Sequence, residues 1–158
     1  MVEALIGLGS NFEPVPALRA AVAALEQFGH VGCSSVYRGP AAGVSAADYL
    51  NMVVLVAGDA DVDALLSGLA SIETAIGRTR ADPRVCRLDL DLLAYGLRVD
   101  AVRRIPRPGL YSLPFVLVPL ADVAPQLTHP LTGERCSAAL VAAPRSPELE
   151  RLGALAAL

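Results

Sequence analysis

The sequence predicts an α+β fold of the ferredoxin-like, split βαβ kind: an antiparallel sheet with helices packed on it and a C-terminal helical appendage. Apolar runs suited to strands alternate with stretches in which apolar residues recur at helical spacing, and glycine or proline separates them. Their order is strand, helix, strand, strand, helix, strand. At 158 residues the chain is expected to form one domain, residues 1–158.

The first half of the chain contains the first three strands and the first helix. Residues 2–8 are an apolar run followed by turn residues, which predicts a strand. Apolar residues recur every three or four positions from 14 to 28, which predicts a helix, and Gly29 favours its end. Residues 30–38 and 49–57 predict two further strands, with a loop rich in glycine and proline between them.

The second half begins with a helix that has clear start and stop signals. Asp61 is a plausible N-cap, the apolar stripe runs to Ile76, and Gly77 follows it. An arginine-rich loop, 78–86, then leads into a strand that extends from 87 to about 95.

The C-terminal third is predicted to be mainly loop and helix. Prolines punctuate residues 105–114, which favours a loop. Short helices are expected around 115–123 and 135–153. The predicted sheet would carry helices on one face and leave the other face free for a ligand.

Composition narrows the class of protein. No apolar run reaches the roughly 18 residues of a membrane span, and the N-terminus lacks a basic signal-peptide region, so we expect a cytoplasmic protein without membrane contacts. Three widely spaced cysteines favour free thiols. A net charge of −3 offers no field for nucleic acid, so small-molecule partners are expected. The oligomeric state is left open.

The basic residues are unusual in kind and in distribution. The chain has no lysine, and eight of its 13 basic groups are arginines between positions 78 and 107. Guanidinium groups bind phosphate oxygens in a bidentate manner, so this concentration suggests an anionic ligand. A genome that favours arginine codons, with a solvated loop, would explain it equally well.

Two aspartates stand within this arginine-rich region. Asp89 and Asp91 alternate with leucines on a strand, so they and Arg87 should line one face, with the aspartates roughly 7 Å apart at the backbone. Such carboxylates can hold Mg²⁺ together with substrate phosphates. Alternatively, they are charges that protect an edge strand from aggregation.

Three further residues are candidates for ligand contacts. Glu73 borders the apolar stripe of its helix and could reach a site, although most such glutamates extend to water. Tyr49 and Asn51 share a strand face, where an amide and an aromatic ring could recognise a heterocycle; ordinary packing is the alternative. No P-loop motif occurs, so any nucleotide is held differently.

These pieces, in this order, resemble the 6-hydroxymethyl-7,8-dihydropterin pyrophosphokinases of folate biosynthesis, over nearly the whole chain. The matching motifs are GSN at 9–11, YRGP at 37–40 with Gly43, DYLN at 48–51, IE at 72–73, GRTR at 77–80, DLDLL at 89–93, FVLVPLADVAP at 115–125 and HPLTGE at 129–134. The resemblance implies a ferredoxin-like fold and transfer of pyrophosphate from ATP to the pterin's hydroxymethyl oxygen, with release of AMP.

The resemblance also implies site residues, motif by motif. Two Mg²⁺ ions would be held by Asp89 and Asp91. The pterin would be bound by Tyr49, Asn51 and Phe115, next to Gly39 and Pro40. The nucleotide would contact Glu73, Arg78, Arg84 and Arg107. Arg78, Arg87 and both aspartates would be catalytic.

The chain departs from the family pattern at three polar positions. Cys86 stands where the family has arginine, three residues before the first aspartate, and the 78–86 loop is about two residues short and lacks tryptophan. Arg107 replaces a histidine, and Leu113 replaces an arginine. Arg84, Arg87 and Arg107 could supply guanidinium from nearby. The alternative is a divergent homologue that binds pterin or nucleotide with weak or no transfer.

Overall fold

The computed structural model describes residues 1–41, 46–79 and 81–158. These residues form an antiparallel sheet with helices on both faces. Within these residues the strands are β1 (Val2–Ser10), β2 (His30–Cys33), β3 (Val36–Gly39), β4 (Tyr49–Gly58), β5 (Asp89–Tyr95) and β6 (Glu150–Gly153). The α-helices there are α1 (Pro14–Leu25), α2 (Val62–Ile76), α3 (Pro114–Val123) and α4 (Cys136–Ala142). None of them combines the length and apolarity that crossing a bilayer requires.

The sheet has the order β5-β1-β4-β3-β6, and β2 pairs with β4 beyond the end of β3. Each of the pairings is antiparallel, which confirms the predicted split βαβ arrangement. Strand β1, which lies between β5 and β4, sets the geometry of the site. Its register places Gly9 between Asn51 of β4 and Asp89 of β5, and Gly7 between Val53 and Asp91.

Helix α2 begins and ends where its terminal residues predict. The Asp61 side chain accepts a hydrogen bond from the Ala64 N–H at 2.8 Å, which caps the first turn. Gly77 follows the last turn at φ +94°, a conformation that glycine adopts without steric cost. The predicted helix from 14 to 28 is also confirmed as α1 followed by a 3-10 turn at Glu26–Phe28.

The single strand predicted over 30–38 is wrong, because the segment breaks into β2 and β3 at two serines. The Ser34 N–H donates to the Val53 carbonyl, but its hydroxyl, in place of a backbone group, accepts from the Val53 N–H at 2.9 Å. This interrupts the ladder with β4, and the chain re-pairs from Val36 onwards.

The C-terminal prediction is only half correct. The helix expected over 135–153 is the short α4, and the chain then turns into β6, which pairs with β3. Pro144 and Pro147 stop helix propagation between the two elements. The appendage is therefore partly a sheet edge.

The expectation of one uncovered sheet face is also wrong. One apolar core lies under α1 and α2, and a second lies on the opposite face under α3 and α4. In the second core Leu5, Val53 and Leu93 of the sheet contact Leu117 and Leu120 of α3. The cover is partial, and the rest of that face forms a cleft.

Candidate active site

A cleft of about 230 Å³ opens on the α3 face of the sheet, where the second core ends. Neighbouring strands contribute different chemistry, because side chains at alternate positions share a face. From β1, β4 and β5 the lining residues are Gly7, Gly9, Tyr49, Asn51, Val53, Asp89, Asp91 and Leu93. Pro40, Pro83, Phe115 and Val116 complete the rim.

The floor of the cleft is open because β1 carries glycine at two positions that face it. A Cβ on Gly9 would lie 3.1 Å from Asn51 Oδ1 and 3.6 Å from Tyr49 Cδ1. Any larger residue would therefore push against the amide that the cleft presents. Sequence reasoning treated this stretch as strand and turn, although glycine at alternating strand positions is itself a signal of close approach.

Asp89 and Asp91 both face the cleft and both remain partly exposed. Burial raises the pKa of Asp91, the neighbouring Asp89 charge raises it further, and Arg107 opposes the shift. Two carboxylates that repel each other in this way fit a divalent cation. No group of three or more His, Cys, Asp or Glu side chains suited to a metal occurs among the described residues, so phosphate or water oxygens would supply the remaining ligands.

Arginines and a glutamate surround the two aspartates. Arg78 Nη1 donates to Glu73 Oε1 at 2.8 Å and to Asp89 Oδ1 at 2.6 Å. Arg107 Nη2 lies 3.1 Å from Asp91 Oδ1, and its backbone N–H donates to the Leu93 carbonyl, which holds it beside β5. The structure thus brings the predicted residues Glu73, Arg78 and Arg107 to the aspartate pair.

Arg87 does not lie in β5 as expected, because that strand begins at Asp89. Its guanidinium carbon is 4.2 Å from the centre of the Phe12 ring, and Nη1 is 3.9 Å from the Glu13 carboxylate. Arg84 pairs with Asp82 within the loop and is largely exposed. Neither side chain contacts the aspartates. The predicted motif positions Gly43 and Arg80 lie outside the described residues.

The arginines between positions 78 and 107 include one group at the cleft and another group at the turn that follows β5. Arg103 donates to Asp63 of α2 and to Asp100, and Arg98 also donates to Asp100. These pairs stabilise the turn that follows β5, away from the cleft. Part of the arginine pattern is therefore structural, which neither an anionic ligand nor a solvated loop predicts.

The turn after β1 has a role that the sequence analysis missed. The Asn11 side chain accepts from the Cys86 N–H at 2.6 Å and donates to the Arg84 carbonyl at 2.7 Å. The Asn11 N–H and the Ser10 hydroxyl both donate to the Cys86 carbonyl. The GSN motif thus holds the end of the 78–86 loop directly before the first aspartate.

Cys86, in place of the expected arginine, is partly buried and lies beside Tyr49. Burial raises the pKa of Tyr49 to about 12, and Cys86 and Asp89 contribute to the shift. Burial and Asp89 likewise raise the pKa of the Cys86 thiol. Leu113 precedes the first residue of α3 and brings no polar group. Gly39 is buried and pairs with Tyr49, whereas Pro40 reaches the rim.

The chain matches a family model over residues 5–125, and that family is described as 7,8-dihydro-6-hydroxymethylpterin-pyrophosphokinase (HPPK). The 2-amino-4-hydroxy-6-hydroxymethyldihydropteridine pyrophosphokinase of Synechocystis sp. is 40% identical over 140 residues, which cover 83% of this chain and 71% of that protein. The enzyme of the same name from Methylorubrum extorquens is 38% identical over 137 residues, covering 80% and 85%.

Solved structures with the same fold include chains described as HPPK-DHPS. The HPPK-DHPS crystallised with substrates superposes with a TM-score of 0.72 at 13% identity, covering 89% of this chain and 44% of that one. The wild-type Plasmodium falciparum HPPK-DHPS with SDX-DHP superposes with a TM-score of 0.69 at 12% identity, covering 90% of this chain and 43% of that one. The chain spans less than half the length of these structures, and at such identity they show the fold alone. From the family model and the close sequence relatives it follows that the chain belongs to the HPPK family.

Proposed function

We propose that this protein transfers a pyrophosphoryl group from ATP to the hydroxymethyl oxygen of 6-hydroxymethyl-7,8-dihydropterin and releases AMP. The observation that carries this proposal is that one cleft has two chemically different sides. An amide and aromatic rings line one side, carboxylates and guanidinium groups line the other, and the glycine floor lies between them. The first side suits a flat heterocycle with donors and acceptors, and the second suits a metal–triphosphate. Family membership supports the same reaction.

The pterin would lie over the glycine floor. Asn51 carries both an acceptor and donors, which match the mixed edge of a pterin, and Gly9 leaves room for the ring near that amide. Phe115, half-exposed on the first turn of α3, offers an aromatic face. These contacts would fix the ring and direct its hydroxymethyl group towards β5.

Asp89 and Asp91 would hold two Mg²⁺ ions, which when bound neutralise the triphosphate and orient it for in-line attack. Arg78 and Arg107 lie beside these carboxylates and would contact phosphate oxygens, stabilising the charge that develops on them. Pro83 of the 78–86 loop reaches the cleft rim, so closure of this loop would exclude water.

The reaction itself forms a bond between the pterin hydroxyl oxygen and the β-phosphorus. The bond from that phosphorus to the oxygen shared with the α-phosphate breaks, and AMP leaves with this oxygen. The hydroxyl proton passes to solvent or to a phosphate oxygen. The role of Asn51 and Phe115 is to hold the attacking oxygen in line.

A second candidate function is binding of pterin or nucleotide without efficient transfer. Cys86 and Leu113 favour it, because each replaces a charged group of the family, and each lost charged contact to phosphate costs about 1.5–3 kcal/mol.

Following AMP formation with ATP, Mg²⁺ and 6-hydroxymethyl-7,8-dihydropterin separates the two functions. We expect turnover that Asp91→Asn lowers by at least about a thousandfold, while pterin binding measured by calorimetry changes little. Asp59→Asn, which removes an exposed carboxylate that does not line the cleft, is the matched control. Pterin binding without AMP formation by the unaltered protein would instead favour the second function.

A further inference from the structure

Glu73 contacts groups of the protein itself, whereas the family resemblance implies that it contacts the nucleotide. It lies on the last turn of α2, its side chain is only 18% exposed, and one carboxylate oxygen accepts two hydrogen bonds. One comes from Arg78 Nη1, and the other comes from the Leu90 N–H at 2.7 Å. Leu90 lies between the two aspartates on β5. Glu73 therefore contacts both the arginine of the site and the strand that carries the carboxylates.

Arg78 is fixed at its backbone and shared at its guanidinium. Its N–H donates to the Glu73 carbonyl, and the Gly77 N–H donates to the Thr74 carbonyl, which together fix the helix end. The same Nη1 atom donates to Glu73 and to Asp89. The backbone of Arg78 is thus held in place while its guanidinium bridges two carboxylates.

The pairing of Arg78 with Asp89 uses Oδ1, one of the two carboxylate oxygens that Asp89 offers to a divalent cation. A cation bound near Asp89 Oδ1 would compete with Nη1 for that oxygen, because the two positive groups repel each other. Glu73 then remains as the carboxylate that still accepts from Arg78. Among the described residues, the ion pairs of Arg78 are with Glu73 and Asp89, so Glu73 is its remaining direct anionic partner when Asp89 binds a cation.

We propose that Glu73 is a positioning residue: it shares Arg78 with Asp89, lowers the competition between Arg78 and the cation, and keeps the guanidinium beside the aspartate pair after the cation has bound. This inference rests on the proposed function, since it takes Asp89 and Asp91 as cation ligands. It assigns Glu73 to Arg78 and β5 rather than to the nucleotide.

A double-mutant cycle with Mn²⁺ alone tests the inference, using calorimetry on the full chain without pterin or nucleotide. The variants are Glu73→Gln, Arg78→Ala and the combination of the two. Glutamine keeps an acceptor for both N–H donors, so the fold is retained. Arg78→Ala is expected to bind Mn²⁺ at least about threefold more tightly, because a competing cation is gone.

Glu73→Gln is expected to weaken Mn²⁺ binding through two effects, namely the loss of a nearby negative charge and stronger pairing of Arg78 with Asp89. Only the first effect remains in the Arg78→Ala background. The loss should therefore be about threefold larger when Arg78 is present. Equal losses in both backgrounds would overturn the inference. Glu148→Gln, at an exposed glutamate, controls for removal of charge elsewhere.

Kinetics then separate this inference from the proposed function. With turnover intact, Glu73→Gln should lower kcat about tenfold and leave the KM for pterin unchanged, because Arg78 is held less well for the transition state. Turnover with no coupling in the Mn²⁺ cycle would refute the positioning role alone. Coupling without turnover would refute the pyrophosphokinase reaction alone. Mn²⁺ binding that Asp91→Asn leaves unchanged would refute both.

Discussion

At the scale of single residues, Gly9 controls the shape of the cleft more directly than any polar side chain does. It lies on β1 between Asn51 and Asp89, so it separates the two chemically different sides. Its lack of a Cβ is what allows the Asn51 amide to face the open floor.

Gly9→Ala is accordingly expected to weaken pterin binding by about ten- to a hundredfold, because the new methyl group would lie 3.1 Å from Asn51 Oδ1 and displace it. Nucleotide binding should change less than threefold. Calorimetry with each ligand measures both. Gly32→Ala is the matched control, since a Cβ there meets nothing within 4 Å and both affinities should stay unchanged. Unaltered pterin affinity in Gly9→Ala would place the ring elsewhere.

The substitution at Cys86 is also best understood at this scale. The thiol lies against Tyr49, and its backbone is held by Asn11. An arginine at this position would have to leave that packed environment to reach phosphate. Arg107, paired with Asp91, is placed to supply a guanidinium instead.

At the scale of elements, the junction between β1 and the 78–86 loop links two distant parts of the sequence. Asn11 contributes two side-chain hydrogen bonds and one backbone hydrogen bond to residues 84–86. The end of the loop is therefore held against the turn that follows β1.

Asn11→Ala is expected to lower the free energy of unfolding by about 1–3 kcal/mol, because two side-chain hydrogen bonds are lost. Hydrogen exchange at the Cys86 N–H should become faster, because the free energy of local opening there should fall by a similar amount. Chemical denaturation and hydrogen exchange measure the two effects. Asn11→Asp keeps the acceptor for the Cys86 N–H and loses the donor to Arg84, so it should retain most of the protection. Unchanged exchange in Asn11→Ala would show that the backbone bond alone holds the loop.

Elements whose signals are local were predicted well from the sequence, and elements defined by distant pairing were not. Helix α2 has its own N-cap and terminal glycine, so its bounds could be predicted. The break between β2 and β3 depends on Ser34 meeting Val53 across the sheet. β6 exists because it pairs with β3, more than a hundred residues earlier, and no local pattern announces that partner.

The candidate site follows the same rule. The aspartate alternation and the Tyr49–Asn51 alternation predicted shared faces, and the register brings both pairs to one cleft. The environment of Arg87 could not be predicted in this way, because the start of β5 is set by the Asn11 contacts. The mutual contacts of Glu73, Arg78 and Asp89 likewise depend on how α2 packs against β5.

At the scale of the whole molecule, the sheet separates two apolar cores, and only one of them adjoins the cleft. Leu65 of α2 and Leu117 of α3 are both fully buried, each in a different core. Leu117 lies one helical half-turn from Phe115, which lines the rim.

Truncation of either leucine to alanine is expected to cost about 2–5 kcal/mol of unfolding free energy. Leu117→Ala should also raise the KM for pterin several-fold, because α3 carries Phe115, whereas Leu65→Ala should leave that KM unchanged. Denaturation and steady-state kinetics on the same preparations give both values. Equal effects of the two variants on KM would mean that the cleft responds to global stability and not to the α3 layer.

The division of the cleft among three adjacent strands has an evolutionary consequence. Amide and aromatic side chains come from β4, the glycine floor from β1 and the aspartates from β5, so a substitution on β4 or on β5 can alter one side of the cleft while the other side is kept. The chain departs from the family pattern at Cys86, Arg107 and Leu113, whereas Tyr49 and Asn51 on the opposite wall match it. Modular variation of this kind lets the sequence of such a cleft change in steps, each of which leaves the side chains of the opposite wall unchanged.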